Sequence, residues 1–237
     1  MPPTIILVHG AYAESSSWNH VVETLVSAGH PVIAYANPLR TIAGDAAGLT
    51  ELVRTIDGPV LLVGHSYGGA VITNVAADAG EIIGLVYVAG FALRAGESPA
   101  DAAALAPGGT LAETLQTVPL PDGGVDTYIA AAQFHHQFCA DVPERQAMLM
   151  AITQRPITEA ALTEGLPTKT PAWAVLPSWF VFGDLDLTIP AELHRFLADR
   201  AQARGTREVE GASHALSVSH PEAVAASIVE AVGGTSG

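Results

Sequence analysis

Lysine occurs once in these 237 residues, at Lys169 within a loop-like Pro-Thr-Lys-Thr-Pro stretch. A mechanism built on a Schiff-base lysine, or on a lysine gripping phosphate, therefore has a single, poorly placed candidate. Cysteine also occurs once, as Cys139, so no internal disulfide can form, which suits a reducing compartment. Positive charge is scarce as a whole: 10 Lys and Arg stand against 24 Asp and Glu, for a formal charge of −14. Such a field repels nucleic-acid backbones and anionic lipid headgroups, so neither nucleic acid nor membrane is expected as a partner. No apolar run approaches the roughly 18 residues of a membrane span. Met1-Pro2-Pro3-Thr4 places no basic segment ahead of the first apolar run, and the expectation is a soluble, cytoplasmic protein. Metal-ligand spacing is missing too. There is no H-E-x-x-H and no Cys/His set, and the adjacent His135 and His136 would point about 100° apart on a helix. Neither a metal nor a cofactor is expected.

What the sequence does have is apolar mass, 49% of it, enough to bury one sizeable core. Short β-branched runs alternate with Ala-rich stretches, the pattern of a parallel sheet covered by helices on both faces. The predicted strands are Thr4 to Val8, Pro31 to Tyr35, Pro59 to Val63, Ile82 to Val88, Ser178 to Phe182 and Thr206 to Glu210. The first four are nearly continuous in apolar character, which implies burial on both faces. The predicted helices are Ser17 to Ala28, Asp45 to Ile56, Tyr67 to Ala79, Ala191 to Ala201 and Pro221 to Val232, with Gly29 and Gly80 as stops. From about Leu93 to Pro171 the strand signal vanishes. Pro, Gly and Ala-rich helical pieces replace it, one starting at Asp141-Val142-Pro143-Glu144 with the look of an N-cap and an early proline. The reading is a core of residues 1–92 and 172–237 with a helical cap, 93–171, inserted in it.

Gly64-His65-Ser66-Tyr67-Gly68 is a G-x-S-x-G pentapeptide. The bare pattern is weak in a glycine-rich chain, but its place between a strand and a helix is informative. Flanking glycines allow a sharp turn that holds serine in a strained conformation at the C-terminal edge of the sheet. The helix behind it offers N–H groups and a positive dipole end to a developing oxyanion.

A serine hydroxyl needs a base, and the base needs an orienting acid. Of nine histidines, His214 is preferred because Gly211-Ala212-Ser213-His214 lies after the last strand and before the last helix. His220, followed by Pro221, suits the start of that helix. His9 suits a structural or oxyanion-loop role, His65 is the variable elbow position, and His20, His30 and His194 read as surface-like. For the acid, Gly183-Asp184-Leu185-Asp186 ends a strand and either aspartate can reach a neighbouring loop. Asp186 is preferred, giving the chain order serine, acid, histidine.

His9-Gly10-Ala11, the elbow at Ser66, Gly183-x-x-Asp186 and Gly211-x-x-His214 together resemble the α/β-hydrolase family over nearly the whole chain. The resemblance implies an α/β fold of about six mainly parallel strands flanked by helices, without the antiparallel hairpin that often precedes the first of them. It also implies an oxyanion hole made by the backbone N–H groups of Ala11 and Tyr67. More narrowly, His9-Gly10-Ala11 followed by Trp18, and Phe138-Cys139-Ala140-Asp141 leading to Arg155-Pro156, resemble the plant methyl-esterase and hydroxynitrile-lyase group. The lyases carry a lysine where Ala215 stands and a threonine where Gly10 stands, which disfavours cyanohydrin cleavage. Dehalogenases and epoxide hydrolases carry an aspartate where Ser66 stands.

The expected activity is hydrolysis of a small, largely apolar carboxylic ester through an acyl-enzyme. Carbon–carbon cleavage or perhydrolysis by the same triad, or a small-ligand receptor on this fold, are the alternatives. Tyr12, Trp18, Phe134, His135, Phe138, Met148 and Met150 are candidates to line the pocket, although aromatic and methionine side chains at helical spacing also serve as plain packing. Cys139 has no indicated partner as a nucleophile. A homodimer is left open.

Overall fold

A computed structural model describes residues 2–76, 78–121 and 123–235. Its strands, in chain order, are β1 (Thr4–Val8), β2 (Val32–Tyr35), β3 (Pro59–His65), β4 (Glu81–Val88), β5 (Leu115–Pro119), β6 (Val125–Ile129), β7 (Ile157–Thr158), β8 (Ser178–Gly183) and β9 (Gly205–Val209). Its α-helices are α1 (Asn19–Ser27), α2 (Ile42–Arg54), α3 (Tyr67–Thr73), α4 (Pro99–Ala103), α5 (Ala131–Phe138), α6 (Glu144–Thr153), α7 (Glu159–Thr163), α8 (Ala191–Arg200), α9 (Leu216–Ser219) and α10 (Pro221–Gly234). Six strands form one sheet in the order β2-β1-β3-β4-β8-β9, every neighbouring pair parallel. Among the described residues β2 forms one edge of this sheet, with no antiparallel strand beyond it.

Alternation along each strand divides the core into two layers. Ile6, Val8, Leu62, Tyr87, Phe180 and Phe182 face one way, with α2, α3, α8 and the inserted segment over them. Ile5, Leu7, Val63, Val88, Trp179 and Val181 face the other, under α1 and α10. Strands buried on both faces have no polar side to show, which is why their sequences read as continuous apolar runs.

Three expectations need correction. The helix after the elbow ends at Thr73, not Ala79. The Thr73 hydroxyl turns back to the Gly69 carbonyl and meets the Tyr87 hydroxyl, while the Asn74 side chain accepts the Thr168 amide. The Thr73–Gly69 bond is a local alternative to further helical ones, and the Tyr87 and Thr168 partners come from elsewhere in the chain. Gly80 thus leads into β4 rather than stopping a helix, whereas Gly29, at φ +87°, does end α1. The inserted segment is also not purely helical: β5, β6 and β7 form a small antiparallel sheet. β5 is mostly exposed and β6 buries Asp126 and Thr127, so neither carries an apolar run. That sheet is tied to the core by Arg40 donating to Asp126 at 2.7 Å and by the Tyr12 and Thr127 hydroxyls at 2.9 Å. Finally, Asp141 does not cap α6. Its carboxylate accepts from the Ser213 hydroxyl, next to His214. No helix among the described residues is long and apolar enough to cross a membrane.

Candidate active site

The loops at the carboxyl ends of β1, β3, β8 and β9 converge on one edge of the sheet, where a parallel α/β fold characteristically places ligands. Ser66 joins β3 to α3 with φ +52° and ψ −121°, a strained conformation for a residue with a side chain. Crowding makes its neighbours glycine. A Cβ on Gly68 would lie 2.3 Å from the Val8 carbonyl oxygen, and one on Gly10 would lie 2.6 Å from Ser66 Cβ. Gly10 is therefore the contact through which the β1 loop approaches the elbow.

After β8 the two aspartates part company. Exposed Asp184 accepts the Gly211 amide at 2.7 Å and shapes the β9 loop. Buried Asp186 accepts His214 Nδ1 at 2.7 Å on Oδ2, and the Thr188 and Ile189 amides at 2.8 and 2.9 Å on Oδ1. Burial alone would raise the Asp186 pKa. The attraction of His214 and hydrogen bonds from His194 and His214 outweigh it and hold the carboxyl well below the usual range. The acceptor-only carboxylate makes Nδ1 of His214 the protonated nitrogen and leaves Nε2 unprotonated, able to accept a proton. Nε2 has no hydrogen-bond partner among the described residues. No hydrogen bond joins it to Ser66; in ligand-free sites such bonds are often long and close only around substrate.

The amides expected to form the oxyanion hole flank this edge. Tyr67 is the first residue of α3, and its phenol points away to donate to Asp45 at 2.8 Å. Ala11 precedes Tyr12, which holds φ +58° and whose own amide donates to the Arg155 carbonyl at 3.0 Å. His9 and His65 build the surroundings. His9 accepts the Asn37 amide at Nε2, and its Nδ1 meets the Gly10 carbonyl. His65 Nε2 meets the His214 carbonyl at 3.0 Å. Burial lowers them to about 4 and about 3, so both are neutral at pH 7.

The pocket candidates scatter. A cavity of about 440 Å³ lies between the chain after β1 and α6, lined by Tyr12, Ala13, Glu14, His20, Leu149 and Met150 among others. Of the candidates it takes Tyr12 and Met150. Trp18 is fully buried under the α1 face, edge-on to His65 at 6.2 Å. Phe138 packs on His214 at 5.0 Å with Phe134 behind it. His135 Nε2 meets the Val142 carbonyl, and Met148 is exposed. On α6 the helical phase turns Met150 toward the cavity and Met148 away. Burial and then Asp141 push the Cys139 thiol up to about 12, so it carries almost no thiolate at neutral pH.

One participant is absent from the sequence reading. His194 is completely buried, not surface-like, with Nε2 3.3 Å from Asp186 Oδ2. A signal existed: residues 194, 197, 198 and 201 fall on one helical face, whose other members Leu197, Ala198 and Ala201 are buried.

The sequence profile of the alpha/beta hydrolase family matches residues 5–227. A carbendazim hydrolyzing esterase from Nocardioides sp. (strain SG-4G) is 35% identical over 109 residues; the match takes in 39% of this chain and spans 44% of that relative's length. Among solved structures, polyneuridine aldehyde esterase superposes with TM-score 0.82 at 19% identity, covering 97% of this chain and 99% of that one. A methylesterase from Arabidopsis superposes with TM-score 0.81 at 17% identity, covering 98% and 99%. A pyrethroid hydrolase from Sphingobium faniae JZ-2 superposes with TM-score 0.76 at 20% identity, covering 98% and 97%.

Proposed function

The chain belongs to the alpha/beta hydrolase family, and from that premise we propose that it is a serine carboxylic ester hydrolase acting on small, largely apolar esters. The observation that carries the proposal is the buried 2.7 Å Asp186–His214 pair at the sheet edge where Ser66 sits strained at φ +52°. In this reading His214 Nε2 takes the hydroxyl proton as Ser66 Oγ attacks the ester carbonyl. Asp186 stabilises the imidazolium that results. The amides of Ala11 and Tyr67, the latter at a helix N-terminus, receive the oxyanion. His214 returns the proton to the departing alcohol, and water, activated by the same base, releases the acid. Phe138 packs on His214, with Phe134 behind it, so the imidazole sits against an apolar wall. The names of the similar proteins, a carbendazim hydrolyzing esterase and a methylesterase among them, support the same class.

The test is hydrolysis of p-nitrophenyl esters, acetate through octanoate. Native protein should turn over the short esters, and Ser66→Ala should lose on the order of 10⁶ in kcat. Equal turnover by the two proteins would exclude Ser66 as the nucleophile. No turnover of any ester by native protein would exclude the activity.

A further inference from the structure

Asp186 serves one histidine more than this mechanism uses. His194 reaches it from α8, completely buried, with Phe182 stacked on its ring at 4.9 Å and 19°. Its Nε2 lies 3.3 Å from Oδ2, the same oxygen that receives His214 Nδ1 at 2.7 Å. A carboxylate only accepts, so His194 Nε2 carries the hydrogen. Its Nδ1 is buried with no partner among the described residues. An imidazolium there would hold an unpaired N–H away from water, which is costly. Burial accordingly lowers the His194 pKa.

We propose that His194 is a positioning residue of the site: its neutral ring shares Asp186 Oδ2 with His214, fixing the carboxylate and drawing off part of the charge that it presents to His214. The inference rests on the reading of Ser66, Asp186 and His214 as the triad. Other groups meet the pair differently. The Thr188 and Ile189 amides occupy Oδ1. His65, with His9 beyond it, meets the His214 carbonyl rather than its ring nitrogens. Asp141 and His220 lie behind Ser213, and Phe138 is uncharged. Among the described residues His194 is the one side chain that competes with His214 for Oδ2.

Removing that competitor hands the charge of Oδ2 to His214 alone and favours its imidazolium. In His194→Phe, which keeps a ring against Phe182, the acid limb of the kcat/KM profile should move to higher pH by about half a unit or more. The kcat at alkaline pH should fall by roughly tenfold, with KM nearly unchanged. His194→Gln restores an N–H donor and should return the limb toward its native position. A merely structural role would lower stability without moving the limb.

The experiment is the pH profile of p-nitrophenyl acetate hydrolysis for native protein, His194→Phe and His194→Gln, beside ¹⁵N spectra of histidine-labelled native protein. A limb unmoved in His194→Phe, or moved equally in His194→Gln, would overturn the proposal. So would an Nδ1–H or doubly protonated His194 at pH 6 to 8 in the native spectrum, a readout that needs no variant to fold. Should Ser66→Ala stay active, the triad reading fails by itself, while the spectrum still decides whether His194 donates to Asp186.

Discussion

Asp184 and Asp186 sit two positions apart on one loop, and their surroundings separate their work. Asp184 is exposed and holds the Gly211 amide, whereas Asp186 is buried against two amides and two imidazoles. Asp186→Asn offers His214 an amide that can donate to Nδ1, favouring the wrong tautomer, and kcat should drop by about 10³ to 10⁴. Asp184→Asn keeps an acceptor for the loop and should stay within about threefold of native. Parallel kcat measurements on the two variants check this, and equal losses would contradict the division. Chain order does not choose between them, since both lie between Ser66 and His214; their contacts do, as only Asp186 meets the His214 ring. His194 was not legible in the sequence, because a histidine judged from its immediate neighbours looks solvated, and only the phase of α8 reveals that it points inward. Of the pocket candidates only Tyr12 and Met150 line the cavity beside α6, because composition names aromatic and methionine side chains without saying which way each one points.

At the level of elements, the inner strands β1, β3, β4 and β8 were readable because burial on both faces leaves few polar positions, as in Thr-Ile-Ile-Leu-Val of β1, whereas the edge strand β9 exposes Thr206, Arg207 and Glu208. β5 and β6 were not readable, since the small sheet they build is wet on one side and carries Gln116, Thr117, Asp126 and Thr127. They pair with each other as a local antiparallel hairpin, while the contacts that tie it to the core, Arg40 with Asp126 and Tyr12 with Thr127, are distant in sequence and have no local pattern. The length of α3 was misjudged because Ala-rich composition continues beyond Thr73, while the stop comes from Thr73 and Asn74 side-chain bonds to Tyr87 and Thr168. Helix starts fared better where chemistry marks them, as at His220-Pro221, with proline in the first turn of α10.

For the molecule as a whole, two opposed effects set the response to acid. Lowering the pH relieves the repulsion of a chain carrying −14, but surface repulsion is largely screened at physiological salt. His9 and His65 are buried and neutral, their pKa values lowered by burial to about 4 and about 3, and burial lowers that of His194 as well. The unfolded chain, with histidine near 6.5, binds those protons first, so stability is full above about pH 7 and is lost as pH falls from about 6.5 toward 4. Each full shift of this size corresponds to roughly 3 kcal/mol or more, enough to outweigh the screened repulsion. Below pH 4 the depressed Asp186 pKa adds a loss of the same sign. Urea midpoints should therefore fall steadily between pH 7 and pH 4.5 at 0.15 M salt; a flat or rising midpoint would contradict the burial of these rings as neutral groups. The central claim, that Ser66 is a nucleophile activated by His214, is tested most directly by intact-mass measurement after treatment with a fluorophosphonate. The account predicts one adduct, located on Ser66, absent in Ser66→Ala and formed far more slowly in His214→Ala. An adduct on another residue, or none on a protein that hydrolyses esters, would contradict it.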